Sequence, residues 1–419
     1  MNAISKASAF PATVQPGIPT LPELPLEWVR KPIGRLLNEV RRPVKMADDD
    51  AYRLVTVKRA RGGVVERGVF RGREISVKSQ FELREGDFLI SKRQIVHGAC
   101  GIVPQALSGS IVSNEYTVLV PEPDLDLQFL GYLAHSIYFQ QTCFHSSIGV
   151  HIEKMIFKQD RWLNWHFNLP PLPEQKKIAE ILSTWDKAIE TTEKLLANAE
   201  AQKKALMQQL LTGKRRLKGF EGEWREVPLS EVTDFIRDGT HGTHERVGDG
   251  VPMISAANIS SHHDIDLTSA PRIPRRDYEI IHKKYKISEG DVLLTVVGTL
   301  GRTAMVNRFE EFTAQRSVAI LRASNNFCPE FLLYVTQSHK FQTQLRKRAN
   351  VTAQPGVYLG ELAKILMPQP SLDEQHAIVE IVRDAFAQAS KISRSVDVLR
   401  AEKKALMQQL LTGKRRVGT

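Results

Sequence analysis

Cysteine is scarce in this chain. Cys100, Cys143 and Cys328 are the only three in 419 residues, far apart and without a C-x-x-C pair. That excludes a disulfide framework and a cysteine-built metal site, and it fits a reducing, cytoplasmic compartment. Long apolar runs are missing too; "VLLTVVG" at 292–298 is among the longest, far short of a membrane span. The N-terminal "MNAISKASAFPATVQPGIPTLPELP" is Pro-rich and has no compact apolar core, so residues 1–24 read as a loose tail and not a signal peptide. Nucleotide and base-modifying motifs are absent. There is no G-x-x-x-x-G-K-[ST], and "NLPPL" (168–172) is not the Asn/Asp-Pro-Pro-Tyr/Phe of base methylation. "GTLG" (298–301) is too short for a dinucleotide loop. No catalytic residue is assigned.

What is present is basic and repetitive. The net charge is +11 and the isoelectric point near 9.5, a balance that favours a polyanionic partner. "KKALMQQLLTGKRR" runs from Lys203 to Arg216 and again from Lys403 to Arg416, an offset of 403 − 203 = 200. Without any insertion the repeat extends back through "LPPLPEQKKIAEIL" (169–182) and "QPSLDEQHAIVEIV" (369–382). Weaker echoes precede it: "EWVRKPIGRLLNEV" (27–40) with "EWREVPLSEVTDF" (223–235), "EGDFLIS" (85–91) with "EGDVLLT" (289–295), and "QFLGYLAHSIYFQ" (128–140) with "EFLLYVTQSHKFQ" (330–342).

The repeated block is helical. Apolar or small residues fall at Ile178, Leu182, Trp185, Ile189, Leu196, Ala199, Leu206 and Leu210, in steps of three, four or seven. The second copy places Ile378, Val382, Ala385, Ala389, Ile392, Val396, Leu399, Leu406 and Leu410 in the same heptad frame. A 3.5-residue period held this long predicts a coiled-coil seam over 173–212 and 373–412. Glu174 and Glu374 fall in the first turns, and Gly213 and Gly413 suit left-handed caps. The two rods are nearly neutral, with six acids and six bases over 174–204 and five against six over 374–404.

Positive charge bunches outside them. Between Arg53 and Arg93 there are eleven Lys or Arg against five acids; "PRIPRRDYEIIHKKYK" (271–286) has six against two, and "LRKRAN" (345–350) adds three bases. Such clusters on glycine-punctuated segments suit phosphate contact, with Arg able to read guanine edges; a solvated charged surface is the competing reading.

Taken together, "LPPLPEQKKIAEIL", "KKALMQQLLTGKRR", the second helix copy, the paired "EGD" turns, "DGTHGT" and "PMISAANI" (252–259) resemble the specificity (S) subunit of a type I restriction-modification system. The resemblance covers residue 25 to the end. It implies an α+β chain with two α/β target recognition domains, 25–168 and 217–366, joined by two antiparallel coiled-coil helices in the conserved regions 169–216 and 367–419. It implies a pseudo-two-fold repeat in which each head reads half of a split double-stranded DNA target and the helices set the spacer. Two methyltransferase subunits and the restriction-translocase subunits are the implied partners, carrying S-adenosylmethionine, ATP and Mg. The complex would be a site-specific deoxyribonuclease and adenine methyltransferase, with no catalysis on this chain.

Within that frame the candidate DNA contacts are Arg59, Arg61, Arg67, Arg71, Arg73, Lys92 and Arg93 in the first head. In the second they are His241, Thr243, His244, Arg246, Arg302, Arg316, Arg346, Lys347 and Arg348. His241, His244, His262 and His263 lack the Cys or H-E-x-x-H company of a zinc site, so no metal is assigned. The "EGD" triplets read as turns into buried strands, not as paired catalytic acids. A fused methyltransferase conflicts with the missing motifs, and a scaffold without base recognition conflicts with two basic heads.

Overall fold

The computed structural model describes residues 17–261, 263–307, 310–350 and 355–418. The chain divides into two units: Met1–Thr191 with Val396–Thr419, and Thr192–Ser395. Each unit therefore holds one head and one half of each long helix.

The heads share a framework. In the first, a four-stranded sheet runs in the order Leu37–Glu39, Tyr116–Pro121, Phe88–Ser91, Cys100–Ile102. In the second the same order is made by Thr233–Asp238, Val318–Ala323, Val292–Thr295 and Thr303–Met305. The echoing "EGD" segments are the turns entering the third strand of each sheet. Gly86 and Gly290 take positive φ there, and buried Asp87 and Asp291 each accept a backbone N–H three residues back, from Arg84 and Ser288. Each carboxylate is also held by two guanidinium nitrogens, from Arg42 and Arg322 respectively. The charges are spent structurally.

The third echo forms two helix pairs, Leu127–Leu133 with Ile137–His145 and Pro329–Gln337 with His339–Lys347. Ser136 and Ser338 cap the second member of each pair by accepting from Phe139 and Phe341 N–H. A two-stranded ribbon closes each head, Val29–Pro32 on His166–Leu169 and Arg225–Pro228 on Leu366–Gln369. The heads differ in what is inserted. The first carries a five-stranded sheet that includes Ala51–Val57 and Val64–Arg71; the second carries a three-stranded one around Val251–Ile254. These unequal insertions account for the offsets of the weaker echoes, 223 − 27 = 196, 289 − 85 = 204 and 330 − 128 = 202, departing from 200.

The long helices are Leu172–Leu210 and Leu372–Leu411. Within the first unit, Ile178 and Leu182 share a core with Leu406, Leu410 and Leu411. Within the second, Leu206, Leu210 and Leu211 meet Ile378, Val382 and Phe386. The start of one helix packs on the end of the other in both, so the pairing is antiparallel. None of the expected seam residues is exposed. Leu195 and Val398, off the seam, are.

The expected loose tail lies partly outside the described residues, which begin at 17. From there it is not loose. The Gly17 carbonyl lies 2.8 Å from His145 Nε2, and the Pro22 carbonyl accepts from Arg30 Nη2 at 2.9 Å.

Candidate nucleic-acid interface

Two matching clasps fix the heads on the helices. In the first unit buried Glu174 accepts from Arg416 at 2.8 and 2.9 Å and from the Trp28 indole at 3.1 Å. In the second, buried Glu374 accepts from Arg216 at 2.7 and 2.8 Å and from the Trp224 indole at 3.0 Å. The guanidiniums lie over their tryptophans, centroid distances 5.9 and 5.5 Å. Helix-dipole compensation thus explains only part of why a glutamate opens each helix. The carboxylate is the centre of a buried two-point ion pair, whose partners must all be present to offset desolvation.

The neighbouring glutamines complete the attachment. Gln175 accepts from Asp126 N–H at 2.8 Å and donates to the carbonyls of Asp124 and Pro170 at 2.9 and 3.0 Å. Gln375 accepts from Cys328 N–H at 2.8 Å and donates to Pro370 at 3.1 Å. The glutamine of the repeated Glu-Gln pair therefore anchors each long helix to the start of the helix pair in a head. Gly213 and Gly413 both have φ +70, as their place after the last turn requires.

The cations expected on DNA divide into held and unheld. In the first head Arg59 donates to Gln94 and Glu153 at 2.8 and 2.9 Å, Arg71 to the Asp49 carbonyl, Arg73 to the Asp49 carboxylate, Lys92 to the Asn114 carbonyl and Arg93 to Glu115. Arg61 is turned inward. Left-handed Ala60 and Arg61 tuck the loop beneath Gly98, Arg61 Nε donates to the Ala134 carbonyl at 3.1 Å, and burial lowers its pKa. Burial also lowers that of Lys92.

In the second head His241 lies 2.7 Å from Asp238, and His244 bridges Thr240 and Asp277 at 2.9 and 3.0 Å. That hydrogen bond is the main reason the Asp277 carboxyl is held below its ordinary range. His263 Nδ1 lies 3.0 Å from the Thr303 carbonyl; His262 lies outside the described residues. Among the described residues no group of three or more His, Cys, Asp or Glu could hold a metal. Arg302 donates to the Ile259 carbonyl and Arg348 to the Gln344 carbonyl. Thr243, Arg67, Arg246, Arg316, Arg346 and Lys347 are exposed. The last five have no side-chain partner among the described residues, which leaves their donors available to phosphate or base.

Sequence reasoning missed the clasps. Trp28, Trp224, Arg216 and Arg416 were legible as repeats, but no spacing rule pairs residues 146 or 242 apart. It also missed a groove of about 1000 Å³ in the second unit, where Lys203, Lys204, Met207 and Lys214 face His339, Lys340 and Arg346.

The framework, its two basic heads and its repeated helices match the family model described as "Type I restriction modification DNA specificity domain" over residues 63–201 and 221–395. The chain belongs to that family, and it is a specificity subunit with two target recognition domains. Among curated relatives, the type I restriction enzyme MjaVIII specificity subunit of Methanocaldococcus jannaschii is 28% identical, with 94% of each chain covered. The EcoBI specificity subunit of Escherichia coli is 28% identical over 58% of this chain and 56% of its own. The fold is shared with the HsdS subunit of Thermoanaerobacter tengcongensis, TM-score 0.54 at 21% identity, covering 94% of this chain and 98% of that one. It is also shared with a chain solved in work on complex assembly and conformational transition of a type I R-M system, TM-score 0.62 at 21% identity, covering 93% and 98%. Among the described residues no helix is long and apolar enough to cross a membrane.

Proposed function

We propose that each head reads one half of a bipartite double-stranded DNA target, that the helices fix the spacer between the halves, and that the chain docks two methyltransferase subunits. Restriction-translocase subunits join through the assembled complex, which works in the cytoplasm as a deoxyribonuclease and adenine methyltransferase. S-adenosylmethionine, ATP and Mg belong to those partners; this chain supplies sequence reading and no chemical step. The heads span 25–168 and 217–366, with the conserved helical regions 169–216 and 367–419 between and after them.

The observation that carries this reading is the identity of exposed residues in the repeat. Seam packing requires Leu206, Leu210, Leu406 and Leu410. It does not require Lys204, Gln208, Lys214 and Arg215 to be exposed and to match Lys404, Gln408, Lys414 and Arg415 letter for letter. Surface residues earlier in the helices diverge freely, as Lys176 and His376 do. Two identical exposed patches suit two copies of one partner.

Native mass spectrometry of this chain with its methyltransferase subunit tests the stoichiometry. Two copies should bind, K204E with K214E should remove one, and the matching changes at 404 and 414 should remove the other. One copy bound to the unaltered chain would overturn the two-fold reading. Mapping methylated bases in a host with and without the gene tests the DNA reading, a split motif being the expected result.

A further inference from the structure

The first head carries a short hairpin that neither the clasps nor the basic loops account for. Its strands, Ser147–Ile148 and Ile156–Phe157, pair antiparallel after the helix Ile137–His145. Alternation sends Ser147 and Phe157 inward, where both are buried, and turns Ile148 and Ile156 outward as a cross-strand pair 44% and 40% exposed. Beyond them Val150 is 97% exposed. Three β-branched apolar side chains facing water on one small element is a cost without a return inside this chain.

The element is nevertheless firmly held. Phe157 N–H donates to the Lys92 carbonyl and Lys158 N–H to the Ser146 carbonyl, both at 2.8 Å. Glu153 accepts from Arg59 at 2.9 Å and lies 3.1 Å from His97 Nε2. A Cβ on Gly149 would fall 2.8 Å from Met155 Cα, so the two arms close tightly on each other. Exposed His151 and Lys154 lie in the hairpin and exposed Lys158 directly follows it, and the one acid within the hairpin, Glu153, is already paired.

We propose that this hairpin is a base-reading element of the first head, with Val150 entering a groove of the DNA to contact the C5-methyl of a thymine. The inference rests on the DNA-reading assignment above. Rigid support and flanking cations are what such contact needs: the cations meet phosphates, and an apolar side chain distinguishes thymine by its methyl group. A protein partner fits less well, because three side chains fall far short of the roughly 800 Å² per side of a stable interface. Arg59 becomes a positioning residue, holding Glu153 and through it the hairpin.

The test uses the complex assembled with its methyltransferase subunits. Val150 touches solvent almost entirely, so V150A leaves folding intact. Its methylated motif should relax at one thymine of one half-site, the other half staying unchanged. Replacing that thymine by deoxyuridine should weaken binding by the unaltered complex about threefold to tenfold, on the order of the burial of one methyl, and should not weaken binding by V150A. An unchanged motif, relaxation in both halves, or an equal uridine effect on both proteins would overturn the proposal. So would weakened methyltransferase assembly with the base preference of the remaining complex unaltered, which would mark the hairpin as a protein contact. If the unaltered complex had no split motif at all, the DNA-reading assignment itself would fail, and this proposal with it.

Discussion

Arg416 and Glu174 stand 242 positions apart in the chain and meet through two hydrogen bonds, 2.8 and 2.9 Å, beneath the Trp28 indole. The segment just beyond the second long helix therefore completes the attachment of the first head. Arg216 does the same for the second head at Glu374. R416A leaves a buried carboxylate with only an indole partner, and R416K cannot restore the two-point geometry. Both variants should lower the thermal midpoint by several degrees, R416A more, while E374Q in the other unit should act additively with either. Equal midpoints for R416A and the unaltered chain would show that the clasp contributes nothing to stability.

The two capping glycines differ in their surroundings. Alanine in the left-handed region costs about 1–2 kcal/mol at either site. At Gly413 its Cβ would also fall 2.3 Å from Pro25 Cγ, whereas at Gly213 the nearest atom is a Trp224 ring carbon at 3.1 Å. G413A should therefore destabilise more than G213A in chemical denaturation. The reverse order would contradict this packing.

All three thiols are buried, and burial pushes that of Cys100 up to about 12 and that of Cys143 well above its ordinary value. A thiol reagent reacts through the thiolate. Labelling of the folded protein at pH 8 should be negligible and should become complete in denaturant. Rapid labelling of Cys100 or Cys143 without unfolding would refute the burial.

The exposed, unpaired cations should act within one head only. R67A should weaken reading of one half-site, and R246A, R316A or K347A the other. Where the deleted cation met a phosphate, affinity should fall for all sequences alike and the salt dependence should drop by about one ion. Where it met a base, one position should relax at a cost of about 1–3 kcal/mol. Binding curves at several salt concentrations separate the two. Motif mapping that showed both halves relaxing after one change would argue against separate heads.

Matched four-residue insertions between Thr191 and Thr192 and between Ser395 and Val396 lie where the chain passes from one unit to the other. Every contact within a unit is then retained. Each insertion adds roughly 6 Å of helix, and DNA advances about 3.4 Å per base pair. The spacer of the methylated motif should lengthen by one or two pairs with the same bases read. An unchanged spacer with strong methylation would remove the helices from that role.

The sequence by itself determined what is periodic or local. The 3.5-residue spacing of Ile178, Leu182 and Leu210 and of their partners laid out both helices to within two residues, because a helix needs only one apolar stripe and a capping glycine. Asp87 and Asp291 declared their turns because a carboxylate accepting the N–H three residues back is a local arrangement. Tertiary structure alone decided which charges are spent. Arg61 and Arg67 look alike in a string of basic residues, yet the first is drawn inward to the Ala134 carbonyl and the second stays in water. Glu174 looked like a helix-start acid until Arg416 closed over it from the far end of the chain. Such pairings depend on which distant segments the core brings within hydrogen-bond reach, and long-range ion pairs leave no spacing in the sequence to betray them.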